Sequence, residues 1–333
     1  MKERIEYIDL AKGLCIMLVV FYHASGILNC TYCLSPFLDS FRLPLYFVLA
    51  GLFFRDYGSV RMFLLKKTNR LLVPFFAFYI AFSVIIPNLL HYAMGVEFGT
   101  VVGWKSLWAF VWPGEYPNVP IWFLWCLFVI NVMFWGIRAV SQRLFGTSVM
   151  LAMFAMCSAL CVLGYYLQGL VGADFATLFK SMQSIPYFCI GHMLGVGNGL
   201  KALDGMSMSK RMFAALVLIL LTFVVSMQLA YYSDYLGILA GVFGALMVIV
   251  IASIVKYVPF VSYLGRYSII LLLTHGLLLR LLEPLCREIA TVANSYVAVL
   301  ATTVLALATY IVIIPFSCKF IPKLTAQRPL LKE

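Results

Sequence analysis

Lys12 and His23 stand eleven residues apart in one apolar run that reads Tyr-Ile-Asp-Leu-Ala-Lys-Gly-Leu-Cys-Ile-Met-Leu-Val-Val-Phe-Tyr-His. Eleven residues is about three turns of α-helix, so the two side chains share a face, offset by roughly 16 Å along the axis. A cation is thereby aligned with an imidazole along one wall of a channel or slot. An imidazole, with an ordinary pKa near 6.5, offers a proton acceptor. Asp9 lies in the same run. Ionisable groups inside a membrane-length helix are costly in lipid, face a protein interior or a wet cavity, and by default point to a functional site. Each has a plain alternative. Asp9 and Lys12 sit near one end, where Lys12 can snorkel to headgroups. His23 can be a hydrogen-bonded structural residue between packed helices. The alignment of Lys12 with His23 moves the balance towards chemistry.

Further along, Lys66, Lys67 and Arg70 form a basic cluster. Lys66 reads as ordinary flanking charge. Lys67 and Arg70, three apart, are neighbours on a helix face, and such a pair can clamp a diphosphate, the arginine with two parallel bonds. Four other residues are weaker candidates for substrate contact. His275 either orients a substrate or is a satisfied core histidine. Glu115 contacts a substrate or is an exposed loop carboxylate. Trp122 stacks on a substrate or belongs to an interfacial aromatic belt. Arg42 binds an anion or caps its helix. Asp9 is too far from His23, about 20 Å by rise, to pair with it. It takes a supporting role, beside Lys12 or Arg70. Cys30 and Cys33 form a C-x-x-C without a second ligand pair nearby, so a disulfide is a better reading than a metal. No metal site is expected.

The elements that position these groups follow from composition. Of 333 residues, 64% are hydrophobic and 11% charged, with mean hydropathy +1.00. A soluble domain of this length has no place to hide so much apolar surface. The chain reads as an all-α polytopic membrane protein. About ten spans emerge, near 7–28, 40–57, 69–92, 119–138, 149–170, 181–199, 211–231, 234–255, 262–283 and 294–318. With both termini on one side, that side holds 19 of the 24 Lys and Arg residues. The positive-inside rule then places both termini in the cytoplasm. Topology and anionic lipid headgroups account for the +11 net charge, and no nucleic-acid partner is required. The first apolar run is too long, and too charged at Asp9 and Lys12, for a cleavable signal peptide. No soluble domain or repeat is visible, so residues 1–333 read as a single membrane domain.

Several motifs together resemble the acyltransferase-3 family of multi-span membrane acyltransferases. Arg4-Ile-Glu-Tyr-Ile-Asp-Leu-Ala-Lys-Gly followed by Phe-Tyr-His looks like its opening, with a basic residue, ten others and then His, matched by Lys12 and His23. Pro44-Leu-Tyr-Phe-Val-Leu-Ala-Gly-Leu-Phe-Phe looks like its second span, with Ala50 where Ser is commoner. Lys67-x-x-Arg70 stands where the family usually has Arg-x-x-Arg, and Leu-Leu-Val-Pro74 follows. Trp122-Phe123-Leu124 and the Tyr/Leu-rich stretch from Ser268 to His275 complete the series.

That resemblance implies an O-acyltransferase. Acyl-coenzyme A, most simply acetyl-CoA, would dock its phosphates on Lys12, Lys67 and Arg70 at the cytoplasmic mouth. Its extended arm would then reach His23 as general base or as covalent acyl carrier. The acceptor would be a hydroxyl of a cell-envelope polysaccharide or lipid-linked saccharide, met by Trp122, His275, Glu115 and Arg42, in a bacterial inner membrane. The hydrolase-like outer domain that some relatives carry is not seen, so transfer is expected to finish within the membrane domain. The rival reading is a transporter or flippase of a saccharide intermediate. Against it, no matched inverted halves or paired Gly/Pro-broken spans are visible.

Overall fold

The computed structural model describes residues 5–95, 102–111, 119–146, 149–172, 175–229 and 234–331. Among these the chain is helical throughout, with no strand. In chain order the helices are α1 (Glu6–Ile27), α2 (Ser35–Arg42), α3 (Pro44–Leu52), α4 (Val60–Met94), α5 (Trp122–Phe145), α6 (Val149–Val171), α7 (Ala176–Val196), α8 (Gly199–Asp204), α9 (Met208–Val224), α10 (Asp234–Val255), α11 (Pro259–Arg266), α12 (Ser268–Val292) and α13 (Ser295–Phe320). Eight helical segments among the described residues are long and apolar enough to cross a membrane. Two of the ten expected segments fall outside that set, and each has a physical reason. The second, 40–57, is divided between α2 and α3 at Pro44, which begins a new helix because it has no N–H to continue the old one. The sixth, 181–199, lies largely in α7, where Lys180, Ser181, Gln183, Ser184 and His192 dilute the apolar run.

Helix α4 runs 35 residues and contains two π-helical stretches, Thr68–Leu72 and Ile80–Ile85. Each lies just ahead of a proline, Pro74 and Pro87. A proline ring presses on the carbonyl four residues back, here those of Arg70 and Ser83, and a wider π turn relieves that pressure without breaking the helix. The helix stops at Gly95, whose φ of +65° makes a left-handed C-cap.

Two compact units emerge. The first comprises Met1–Phe54, Ile190–Leu271 and Leu278–Ile311; the second comprises Arg55–Cys189, Leu272–Leu277 and Val312–Glu333. In the first, backbones pack at glycines. A Cβ on Gly265 would fall 1.8 Å from the carbonyl oxygen of Asp9, and one on Gly13 would fall 2.0 Å from that of Val261. Helices α1 and α11 therefore touch main chain to main chain. Gly191 of α7 meets Val48 of α3 in the same way, at 1.9 Å. Small residues permit such approach where lipid supplies no hydrophobic drive between helices. In the second unit Gly164 of α6 lies against Met182 of α7, and Phe134 of α5 packs on Phe188 of α7 with ring centroids 4.9 Å apart.

Several polar side chains in the helices bond the carbonyl four residues back on their own helix. Asn131 donates to Leu127 O at 2.7 Å, Ser181 to Thr177 O at 2.8 Å, Thr222 to Leu218 O at 2.6 Å and Thr303 to Val299 O at 2.7 Å. These bonds satisfy donors that the hydrocarbon cannot.

Candidate functional site

Helix α1 runs unbroken from Glu6 to Ile27, so the spacing of Lys12 and His23 is preserved on one face, about 20° apart around the axis. Both side chains are half-buried. At the lower end Asp9 is 7% exposed and forms an ion pair with Arg266 of α11 at 3.9 Å. Arg266 is a partner that the spacing did not name, since Lys12 or Arg70 was expected. Glycines 13 and 265 explain it: the backbone approach of α1 to α11 brings the end of α11 to Asp9. Tyr46 of α3 donates its hydroxyl to the carbonyl oxygen of Lys12 at 2.7 Å. The turn carrying Lys12 is thus held by two neighbouring helices.

At the other end, the ring of Tyr22 stands edge-on to His23, centroids 5.2 Å apart. Arg42 of α2 lies over the opposite partner: its guanidinium carbon is 3.5 Å from the Tyr22 ring centroid. Arg42 is 9% exposed and ion-paired with Asp39. Asp39 also accepts from Ser35 Oγ at 2.8 Å and from Tyr32 Oη at 3.2 Å. Burial, reinforced by the Asp39 carboxylate, raises the Tyr32 phenol above its ordinary value. Arg42 was read as an anion contact or a helix cap. The structure commits its charge to Asp39 and its face to Tyr22, at the C-terminal end of α2 where a cation also suits the helix dipole.

In the second unit, Lys67 and Arg70 sit at the start of α4. Ser59 caps that helix by accepting from the Met62 N–H at 3.2 Å. Lys67 is half-buried with its ammonium 5.6 Å from the Phe63 ring centroid, and Phe63 stacks on Trp135 at 5.9 Å. Arg70 is exposed. Between them, Asn69 is 5% exposed and binds the backbone of Leu330 and Leu331. Just before α4, Asp56 is ion-paired with Arg138 of α5, and that guanidinium holds the carboxyl below its ordinary range.

Trp122 opens α5, and the ammonium of Lys180 lies 4.8 Å from its ring centroid. His275 is fully buried in α12. Glu115 lies outside the described residues. Cys30 and Cys33 are separate thiols. Among the described residues no group of three or more His, Cys, Asp or Glu side chains is arranged to hold a metal ion.

The first unit therefore gathers Asp9, Lys12 and Arg266 at one end of α1 and His23, Tyr22, Arg42 and Asp39 at the other. The second gathers Lys67, Asn69 and Arg70, and separately Trp122 with Lys180. Sequence reasoning missed Asp39, although its position three residues before Arg42 is the spacing of a helical ion pair. It missed Asn69, whose partners lie more than 260 residues away and leave no local signal.

A family model described as an acyltransferase domain matches residues 5–318. No curated protein and no solved structure matches the chain.

Proposed function

The chain belongs to the acyltransferase-3 family and is a membrane acyltransferase, and from that premise we propose that it moves an acetyl group from cytoplasmic acetyl-CoA to a hydroxyl of a cell-envelope polysaccharide or lipid-linked saccharide. The observation that carries this reading is the α1 register. It keeps a cation and an imidazole on one face of a continuous helix, roughly 16 Å apart. That offset suits a donor that anchors by its phosphates and reaches inward with an extended arm.

In this reading Lys12, Lys67 and Arg70 hold the donor phosphates. His23 works at the thioester. As general base it takes the acceptor hydroxyl proton while the oxygen attacks the acyl carbon and the thiolate leaves; as nucleophile it carries the acyl group first. Trp122, His275, Glu115 and Arg42 serve the acceptor. Arg42 does so indirectly, because its charge is taken by Asp39. Its stacking on Tyr22 sets the aromatic wall beside His23. Asp9 supports the lower end of α1 through Arg266. Both units together form one acyltransferase domain, a reading supported by a family match that runs through both. The bacterial inner membrane is the proposed location, with both termini cytoplasmic.

The test uses purified protein in lipid vesicles. Acetyl-CoA binding is measured by calorimetry, and transfer of radiolabelled acetyl groups to isolated cell-envelope glycans is measured alongside. His23→Ala should lose transfer and keep donor binding. Lys67→Ala and Arg70→Ala should weaken donor binding. Full transfer by His23→Ala overturns the catalytic assignment, and saccharide movement in vesicles without acetyl-CoA binding favours a transporter.

A further inference from the structure

Asn69 uses its whole side-chain amide on a distant stretch of main chain. Its Nδ2 donates to Leu331 O at 2.9 Å, and its Oδ1 accepts from the N–H groups of Leu330 at 3.0 Å and Leu331 at 2.8 Å. The residue is 5% exposed, while Leu330 and Leu331 are exposed. The recognition is of backbone, so it is blind to the side chains at 330 and 331 and sensitive to the path of the chain.

That path is fixed. After α13 ends at Phe320, Leu324 N–H and Thr325 N–H return to Ile321 O at 3.1 and 3.2 Å. Gln327 N–H and Arg328 N–H return to Pro322 O at 2.8 and 3.0 Å. Thr325 is fully buried, and its hydroxyl bonds Ile321 O at 3.1 Å. The segment is wound on itself, anchored at Thr325 and fastened at its far end to Asn69.

The place where it fastens matters. Asn69 lies in the π-helical stretch Thr68–Leu72, widened ahead of Pro74, with Lys67 two residues before it and Arg70 immediately after. A π turn departs from regular i to i−4 bonding, and Asn69 ties this one to the C-terminal segment. We infer that the segment Ile321–Leu331 is a strap that, through Asn69 as a positioning residue, holds Lys67 and Arg70 in the geometry that binds the donor phosphates. The inference rests on the proposed role of those two cations. The strap touches no reacting atom. It lowers the ordering cost of donor binding by fixing the cations beforehand.

The experiment measures acetyl-CoA affinity of the purified full chain in vesicles by calorimetry, with thermal melting run in parallel. Asn69→Ala removes three hydrogen bonds to the strap and should raise the acetyl-CoA Kd by about tenfold. A chain ending at Gln327 should do the same. The two changes combined should weaken binding no more than either alone, because both remove one contact. In a background lacking both cations, Lys67→Ala with Arg70→Ala, Asn69→Ala should add little, because the strap acts through them. That last readout separates positioning from a general loss of stability. If Lys67→Ala and Arg70→Ala weaken binding but Asn69→Ala and the shortened chain do not, the strap is overturned and the donor site stands. If Lys67→Ala and Arg70→Ala leave affinity unchanged, the donor-site reading itself falls. A full additional effect of Asn69→Ala in the background lacking both cations also overturns the strap. Should Asn69→Ala fail to fold, the shortened chain carries the test.

Discussion

At the scale of single residues, the proposed chemistry rests on His23 of α1. His23 →Ala is expected to lower transfer by about a hundredfold to ten-thousandfold, the range for removing a general base, with acetyl-CoA affinity intact by calorimetry. Arg42, proposed to serve the acceptor, is ion-paired with Asp39. Asp39 takes Arg42, Ser35 and Tyr32 at once, so Asp39→Asn leaves a nearly buried guanidinium without its counter-charge. A loss of about 1–3 kcal/mol is expected, read as a lower melting temperature, with Arg42→Lys also impaired because an ammonium cannot stack flat on Tyr22. The three-residue spacing permitted this pair, but the sequence reading did not name it. No spacing signalled the Asp9 to Arg266 pair, because 257 positions separate its members and only the packing of α1 on α11 joins them.

At the scale of elements, contact between helices depends on what is missing from side chains. Gly265→Ala drives a methyl into the carbonyl of Asp9, 1.8 Å from the Cβ position. Main chain on both sides prevents relief by rotamer change. A loss of about 1–3 kcal/mol or more is expected, together with weaker donor binding if α1 shifts. Thermal melting and calorimetry check both. The start of α4 is braced differently. Arg138 holds the Asp56 carboxyl below its ordinary value of 3.8. The stabilisation from this pair is therefore complete above that pH and fades as pH falls through the lower value in the fold. With Asp56 35% exposed, its size is about 0.2–1 kcal/mol. Arg138→Gln should lower the melting temperature slightly at pH 7, and the difference from the parent should shrink below pH 3.8. The helices themselves were visible as apolar runs. The two that are not both long and apolar enough by themselves, at 40–57 and 181–199, carry Pro44 or several polar residues. Such interruptions are read from residue type, not from run length alone.

At the scale of the whole molecule, charge distribution sets a topology that labelling can check. Single cysteines placed at Lys201 and Lys256 in a cysteine-free background should react with a membrane-permeant maleimide only, in intact cells. One at Lys105 should react with an impermeant reagent from outside. The reverse pattern would overturn the orientation, since 19 of 24 basic residues argue for it. The sequence by itself determined the membrane setting, the helical class and the register of Lys12 with His23. These are local properties: hydropathy summed over about 20 residues, and a helical repeat of 3.6. Tertiary structure alone decided that Arg266 answers Asp9, that Arg42 is spent on Asp39 and Tyr22, and that Asn69 grips the chain at residues 330 and 331. Most of these are pairings of groups far apart in sequence. Backbone packing and hydrogen-bond demand select them, and neither leaves a periodic trace along the chain.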